Sequence, residues 1–166
     1  MYYLKTFILY SIVGHLIETV FFLALHINKR SGILFLWWTP LYGFGAVISL
    51  FVYKLVSKEI KNKFGKIITL FLIYFILFTL LEIMGGQFIE KIFDYEMWNY
   101  TDLFWHIGKY ASVPTSLLWA GMSLVYVYFF KKLTDFIIER TPNFLTILLF
   151  IIFIIDVFLS LLKAFY

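Results

Sequence analysis

The stretch Ile33–Tyr53, ILFLWWTPLYGFGAVISLFVY, holds no charged residue yet carries a proline and two glycines near its middle. About 20 apolar residues of helix cross a bilayer core, so the run is long enough to span. Its centre, TPLYGFG (Thr39–Gly45), reads as the beginning of a helix and not as an interruption of one. Proline lacks an N–H and has φ fixed near the helical value, so Pro40 suits the first helical position, with Thr39 before it as the cap. A helix from Pro40 to about Ser57 is then just long enough to cross, and Gly43 and Gly45 let a neighbouring helix come close. Ser31–Trp38 becomes a non-helical segment at membrane depth, tolerable only where protein or a water-filled cavity shields its backbone from lipid.

The rest of the chain agrees. Of 166 residues 63% are hydrophobic and 14% charged, too few polar groups to clothe a soluble globule. Four more windows have spanning length: Phe7–His26 with only Glu18 charged, Ile67–Gly86 with only Glu82, Ala111–Phe130 with none, and Asn143–Leu162 with only Asp156. The expected fold is an all-α membrane protein, a polytopic bundle of about five transmembrane helices near 6–27, 40–57, 66–93, 114–133 and 143–163. These form one transmembrane domain over residues 1–166, with connections too short for an aqueous domain. The first segment is too long for a secretion signal and lacks a small-residue cleavage pattern, so it is expected to be retained. Cysteine is absent, which removes disulfides and thiolate metal sites.

The net charge of +4 is explained by membrane topology without nucleic acid as a partner. Lys54–Lys66 holds five lysines against Glu59, which assigns this connection to the cytoplasm. Gly85–Tyr110 is then outside and Lys131–Pro142 inside, while Lys29 and Arg30 fall on the outer face against the rule. A re-entrant Ile33–Tyr53 would return that pair to the inside with four crossings; the five-crossing reading is preferred because Pro40 starts a full-length helix. The second half echoes the first. Ser112-Val113-Pro114 again sets a hydroxyl before a proline opening an apolar helix, and Glu82 stands upstream of Pro114 as Glu18 stands upstream of Pro40, a pattern compatible with a parallel helical-hairpin repeat.

Ionisable residues near the bilayer centre are costly and generally face protein or water. Glu18 lies close to the middle of its segment, with His15 one turn earlier on the same face as Ser11 and Gly14. Glu82, Gly86 and Glu90 form a stripe four apart, and Asp156 shares a face with Ser160. The functional reading is a polar site for an ion, a proton or a small polar solute lined by Glu18, His15, Glu82 and Tyr42. The plain alternative is that each acid tethers helices by hydrogen bonds, and this is favoured for Asp156, on an otherwise uniform helix of Ile, Leu and Phe. Gly14, Pro40, Gly43, Gly45, Gly86 and Pro114 are read as packing and helix-start positions. The connection Tyr95–Tyr110 is rich in aromatics; it is either an interfacial belt or a lid whose Trp98 and Tyr100 contact a ligand.

Motifs for chemistry are thin. His15-Leu16-Ile17-Glu18 lacks the second histidine of a zinc helix, and no Walker A loop, dinucleotide fingerprint or nucleophile elbow occurs. The chain is therefore expected not to be an enzyme, with no catalytic residue, no metal and no cofactor, and any ATP-derived energy would come from a separate ATPase subunit.

GHLIETVF (Gly14–Phe21), PLYGFG (Pro40–Gly45), LLEIMGGQFIEKIF (Leu80–Phe93), WNY (Trp98–Tyr100) and the Gly108-Lys109 step stand in the order seen in a family that this chain resembles. That family is the putative ABC-transporter type IV, or CmpB-like, group of small bacterial integral membrane proteins. The resemblance maps the family's G-W-x-x-E onto Gly14 and Glu18, with His15 in the tryptophan's place, and its W-D-Y-S onto Trp98-Asn99-Tyr100-Thr101. Its R-G-F-L turn is kept only partly, in Gly32-Ile33-Leu34, with Arg30 displaced by one position, which marks a divergent member. The resemblance implies a transport-related protein of the bacterial cytoplasmic membrane, a permease-like or substrate-binding subunit working in the lipid bilayer with an ATPase or other membrane subunit. The alternative is a non-catalytic interaction or assembly subunit.

Overall fold

The computed structural model describes residues 1–26 and 31–165. Lys29 and Arg30, the pair that counts against the five-crossing topology, lie outside the described residues. The helices are α1 (Tyr2–Ala24), α2 (Pro40–Glu59), α3 (Lys63–Phe93), α4 (Val113–Val125), α5 (Lys131–Arg140) and α6 (Asn143–Phe165). Strands β1 (His106–Ile107) and β2 (Ala111–Ser112) pair antiparallel in a small hairpin before α4. A π-helical turn, Tyr126–Phe130, joins α4 to α5, so Val113–Arg140 is one 28-residue helical rod. With α1, α2, α3 and α6 it makes five helices long and apolar enough to cross a membrane.

Pro40 is the first residue of α2, whose 20 residues reach Glu59. At a rise of about 1.5 Å per residue that is roughly 30 Å, the thickness of the hydrocarbon core. The preceding residues, from Ser31 to Thr39, are not helical. Most of the connection Lys131–Pro142 is helical, as α5. Its KKLTDFIIER sequence buries Thr134 and Ile138, four apart on one helical face, and exposes Leu133 and Phe136 together with its charged residues.

The chain forms two compact units. The first comprises Met1–Val47 and Leu133–Tyr166. Its core is Phe7, Ile8, Leu34, Trp38 and Phe153, with the Phe7 and Trp38 rings edge-on to Phe153 at 5.3 and 5.6 Å. Polar bonds staple α1 to α5: Tyr2 Oη donates to Asp135 (2.6 Å), Tyr10 Oη meets Thr134 Oγ1 (2.7 Å), and Lys5 Nζ donates to the carbonyls of Ile138 and Thr141 (3.2 and 2.7 Å). A lysine on terminal carbonyls suits the negative end of a helix dipole.

The second unit is Ile48–Lys132. Its core gathers Val52, Val56, Leu70, Tyr74, Phe78 and Ala120. Tyr74, fully buried, donates its hydroxyl to the Ser49 carbonyl at 2.7 Å. Asn62 caps α3 by accepting from the Gly65 N–H at 3.0 Å. Ser112 caps α4 in a reciprocal box with Thr115, and Pro114 sits in the first turn.

Glycine governs close approach in both units. A Cβ on Gly14 would overlap the Tyr42 ring, and one on Gly86 would overlap the Tyr110 ring. Gly43 is similarly closed in by Ser11 and Phe7. Gly121, by contrast, faces open space. Gly14→Ala and Gly86→Ala are each expected to lose about 1–3 kcal/mol by overpacking. Gly121→Ala is expected to be neutral or to gain about 0.4–1 kcal/mol from the reduced entropy of the unfolded chain. Thermal melting of the three variants in one detergent checks the order.

Candidate functional site

Two polar sites stand out, one in each unit, and each pairs a glutamate, half-buried at Glu18 and buried at Glu82, with the residues leading into the next proline-opened helix. In the first unit, Ser31 Oγ lies 2.7 Å from Glu18 Oε2 and 3.2 Å from the His15 carbonyl. Ser31 Oγ also lies 3.4 Å from Thr39 Oγ1, which is 3.5 Å from His15 Nδ1. The Gly32 N–H and the Thr39 hydroxyl face the same carboxylate. Gly32 has φ +68°, the left-handed region where glycine is unstrained, and its backbone fits against the Trp38 carbonyl and Thr39 Oγ1 where a Cβ would not. The Thr39 N–H donates to the Ser11 carbonyl at 3.0 Å, which fastens the segment to α1 just before α2 begins.

Asp156 holds the same segment from α6. Its Oδ1 accepts the Phe35 N–H at 3.1 Å and its Oδ2 the Leu36 N–H at 3.0 Å, with the residue 3% exposed. A non-helical stretch has backbone donors that no helix satisfies, and the carboxylates of Asp156 and Glu18 supply acceptors.

In the second unit Glu82 is 4% exposed and takes three donors. Oε1 accepts from Trp119 Nε1 (3.0 Å) and Tyr100 Oη (3.2 Å), and Oε2 accepts from Thr115 Oγ1 (3.2 Å). Thr115 Oγ1 accepts in turn from the Ser112 N–H at 3.2 Å, so the cap of α4 and the carboxylate of α3 are links in one chain of hydrogen bonds. One helical turn before Glu82, Thr79 Oγ1 lies 2.7 Å from both Ser116 Oγ and the Phe75 carbonyl.

The aromatic connection closes over this site. Trp98 Nε1 donates to the Tyr110 carbonyl at 3.0 Å, and the Tyr100 N–H donates to the Lys109 carbonyl at 2.8 Å. Lys109 Nζ bridges two carboxylates, Glu90 at the end of α3 and Glu96 in the connection, the latter at 2.6 Å. The hydrogen bonds from Lys109 and Asn99 hold the Glu96 carboxyl below the usual carboxylate range, and those that Lys109 gives to Glu90 and Glu96 hold its ammonium above the usual lysine range.

The expected site residues are thus distributed. His15, Glu18 and Tyr42 belong to the first unit, where His15 and Glu18 both reach the Ser31–Thr39 pair and Tyr42 covers Gly14. Glu82 and Tyr100 are brought together in the second unit, whereas Trp98 turns its indole N–H to the Tyr110 backbone. Ser31, Thr115, Trp119, Lys109 and Tyr110 were missed as site residues. Only the hydroxyls beside Pro40 and Pro114 carried a local signal, because the other partners are joined by contacts between distant positions. Among the described residues no group of His, Asp and Glu is arranged to hold a metal ion.

The family model described as "Putative ABC-transporter type IV" matches residues 5–161, so the chain belongs to that family. No curated protein and no solved structure was found to match it.

Two expectations follow. Asp156→Asn leaves one acceptor and turns an N–H toward a backbone donor, so it is expected to cost about 1–3 kcal/mol and to speed amide exchange at Phe35 and Leu36 in hydrogen-exchange mass spectrometry. Because the Glu96 value is lowered in the folded chain, its contribution is present above the ordinary carboxylate pKa and lost as pH falls through the lowered value. Exchange protection over Glu96–Tyr110 is therefore expected to be flat at neutral pH and to fall below about pH 4.

Proposed function

We propose that this member of the "Putative ABC-transporter type IV" family is a permease-like or substrate-binding membrane subunit of the bacterial cytoplasmic membrane, with Glu82 and Glu18 at its intramembrane polar sites. The family match and the five spanning helices make it a transport-related multi-pass membrane protein. The observation that carries the finer reading is Glu82, a buried carboxylate in an apolar helix that draws donors from the connection at Tyr100 and from α4 at Thr115 and Trp119. An ionisable group so placed responds to a proton, an ion or a polar solute by exchanging partners, and those partners sit on segments that would have to move. The reading assigns no covalent chemistry to the chain, and the energy for transport comes from a separate ATPase subunit.

The second reading is an assembly subunit in which the same carboxylates tie helices together. It is favoured by Asp156, whose whole hydrogen-bonding role is to hold backbone amides. Glu82→Gln separates the two, since the amide keeps the shape and one acceptor while removing the charge. For a transport site, the variant is expected to melt within a few degrees of the parent and still co-purify with an ATPase in native mass spectrometry, while losing solute-dependent stimulation of that ATPase. A variant that retains full stimulation favours the assembly reading.

A further inference from the structure

Residues 94–112 leave α3 at Asp94, whose φ of 47° ends that helix in the left-handed region, and return to α4 through the β1–β2 hairpin. Along α3 the positions Glu82, Gly86 and Glu90 recur four apart and so lie on one face. The connection covers that stripe residue by residue. Tyr100 donates to Glu82, the Tyr110 ring lies on Gly86, and the Lys109 ammonium bonds Glu90. Internal bonds make one strap of these three: Tyr100 N–H to the Lys109 carbonyl, Trp98 Nε1 to the Tyr110 carbonyl, and Lys109 Nζ to Glu96.

The two ends of the stripe differ in environment. Glu82 is buried, whereas the Lys109, Glu90 and Glu96 side chains are 32%, 42% and 43% exposed. Ion pairs in water are individually weak and are screened by salt. Such a contact suits a latch that opens and closes readily, while the buried end supplies what the latch guards.

We propose that Lys109 is a positioning residue that latches the strap over Glu82, and that release of its two carboxylates admits water and polar solutes to Glu82 from this side of the membrane. The inference rests on reading Glu82 as a transport site and names how access to it is controlled. Lys109 faces Glu90 from α3, Glu96 from the strap and the Tyr110 hydroxyl beside it, and these are the groups whose charge sets the latch. Because the lysine carbonyl carries the Tyr100 backbone, movement of Lys109 moves the residue that fills the Glu82 site.

The absence of cysteine gives a clean reporter. Ser116 is fully buried and bonded to Thr79, one turn from Glu82, so Ser116→Cys in the full chain in lipid nanodiscs reads access by reaction with a polar, membrane-impermeant methanethiosulfonate. Adding Lys109→Gln is expected to speed labelling about three- to thirty-fold, the scale of two exposed ion pairs, and Lys109→Arg to restore the slow rate. An unchanged rate with Lys109→Gln overturns the latch. Equal acceleration at a second reporter, Thr134→Cys, also overturns it, because Thr134 is buried in the other unit and would report general loosening. The transport reading fails separately: if Lys109→Gln speeds labelling but Glu82→Gln keeps full ATPase stimulation, the strap stands and Glu82 is not the transport site.

Discussion

In hydrocarbon every backbone N–H and C=O must find a partner inside the protein, and in this chain the Ser31–Thr39 segment makes that requirement acute. A helix satisfies its own donors; this segment does so at Trp38, whose N–H reaches the Leu36 carbonyl, but sends others outside itself. Its amides at Phe35 and Leu36 go to Asp156, its Ser31 hydroxyl to Glu18 and its Thr39 N–H to the Ser11 carbonyl. Carboxylates are costly in a membrane, and so are orphaned amides. Bringing the two together offsets both costs, which accounts for acids within apolar spans such as α6. The segment in turn sets where Pro40 begins α2, and so where the Tyr42 ring meets Gly14.

The second unit meets the same physics differently. Its connection forms a hairpin that satisfies part of its own backbone, so Glu82 is not needed for amides and instead collects side-chain donors. The Ser112–Thr115 box closes α4 on itself, and the Thr115 hydroxyl extends that cap to the carboxylate. In each unit a glutamate from one helix reaches hydroxyls that precede or open the next, yet the donors beyond them differ. That difference gives Asp156 and Glu18 backbone donors and Glu82 side-chain donors.

Much of this was legible in the sequence because it is written locally. Charge-free length gives the spans, and hydroxyl residues ahead of Pro40 and Pro114 give two helix starts. The buried acids are conspicuous in apolar runs. What they touch is not. Nothing near Asp156 points to Phe35 and Leu36, more than a hundred positions away, and no spacing rule joins Trp119 to Glu82. The helix α5 fills a connection that the charge pattern marks only as inner, and its Thr134 and Ile138 sit at the spacing of a buried helical face.

The donor set around Glu82 also constrains what the site can do. Tyr100 and Trp119 donate to the carboxylate, and the one hydroxyl hydrogen of Thr115 lies within reach of it and of the Ser112 carbonyl, an arrangement that suits an acceptor. A ligand that engages Glu82 must therefore displace a donor, and each displaced donor belongs to a segment with its own anchor. Tyr100 pulls on the strap through Lys109, whereas Thr115 pulls on the cap of α4. On the proposed transport reading, binding at the carboxylate and the positions of these segments are linked thermodynamically, and the linkage is reciprocal: whatever opens the strap changes affinity at Glu82 by the same factor that occupancy of Glu82 changes the strap.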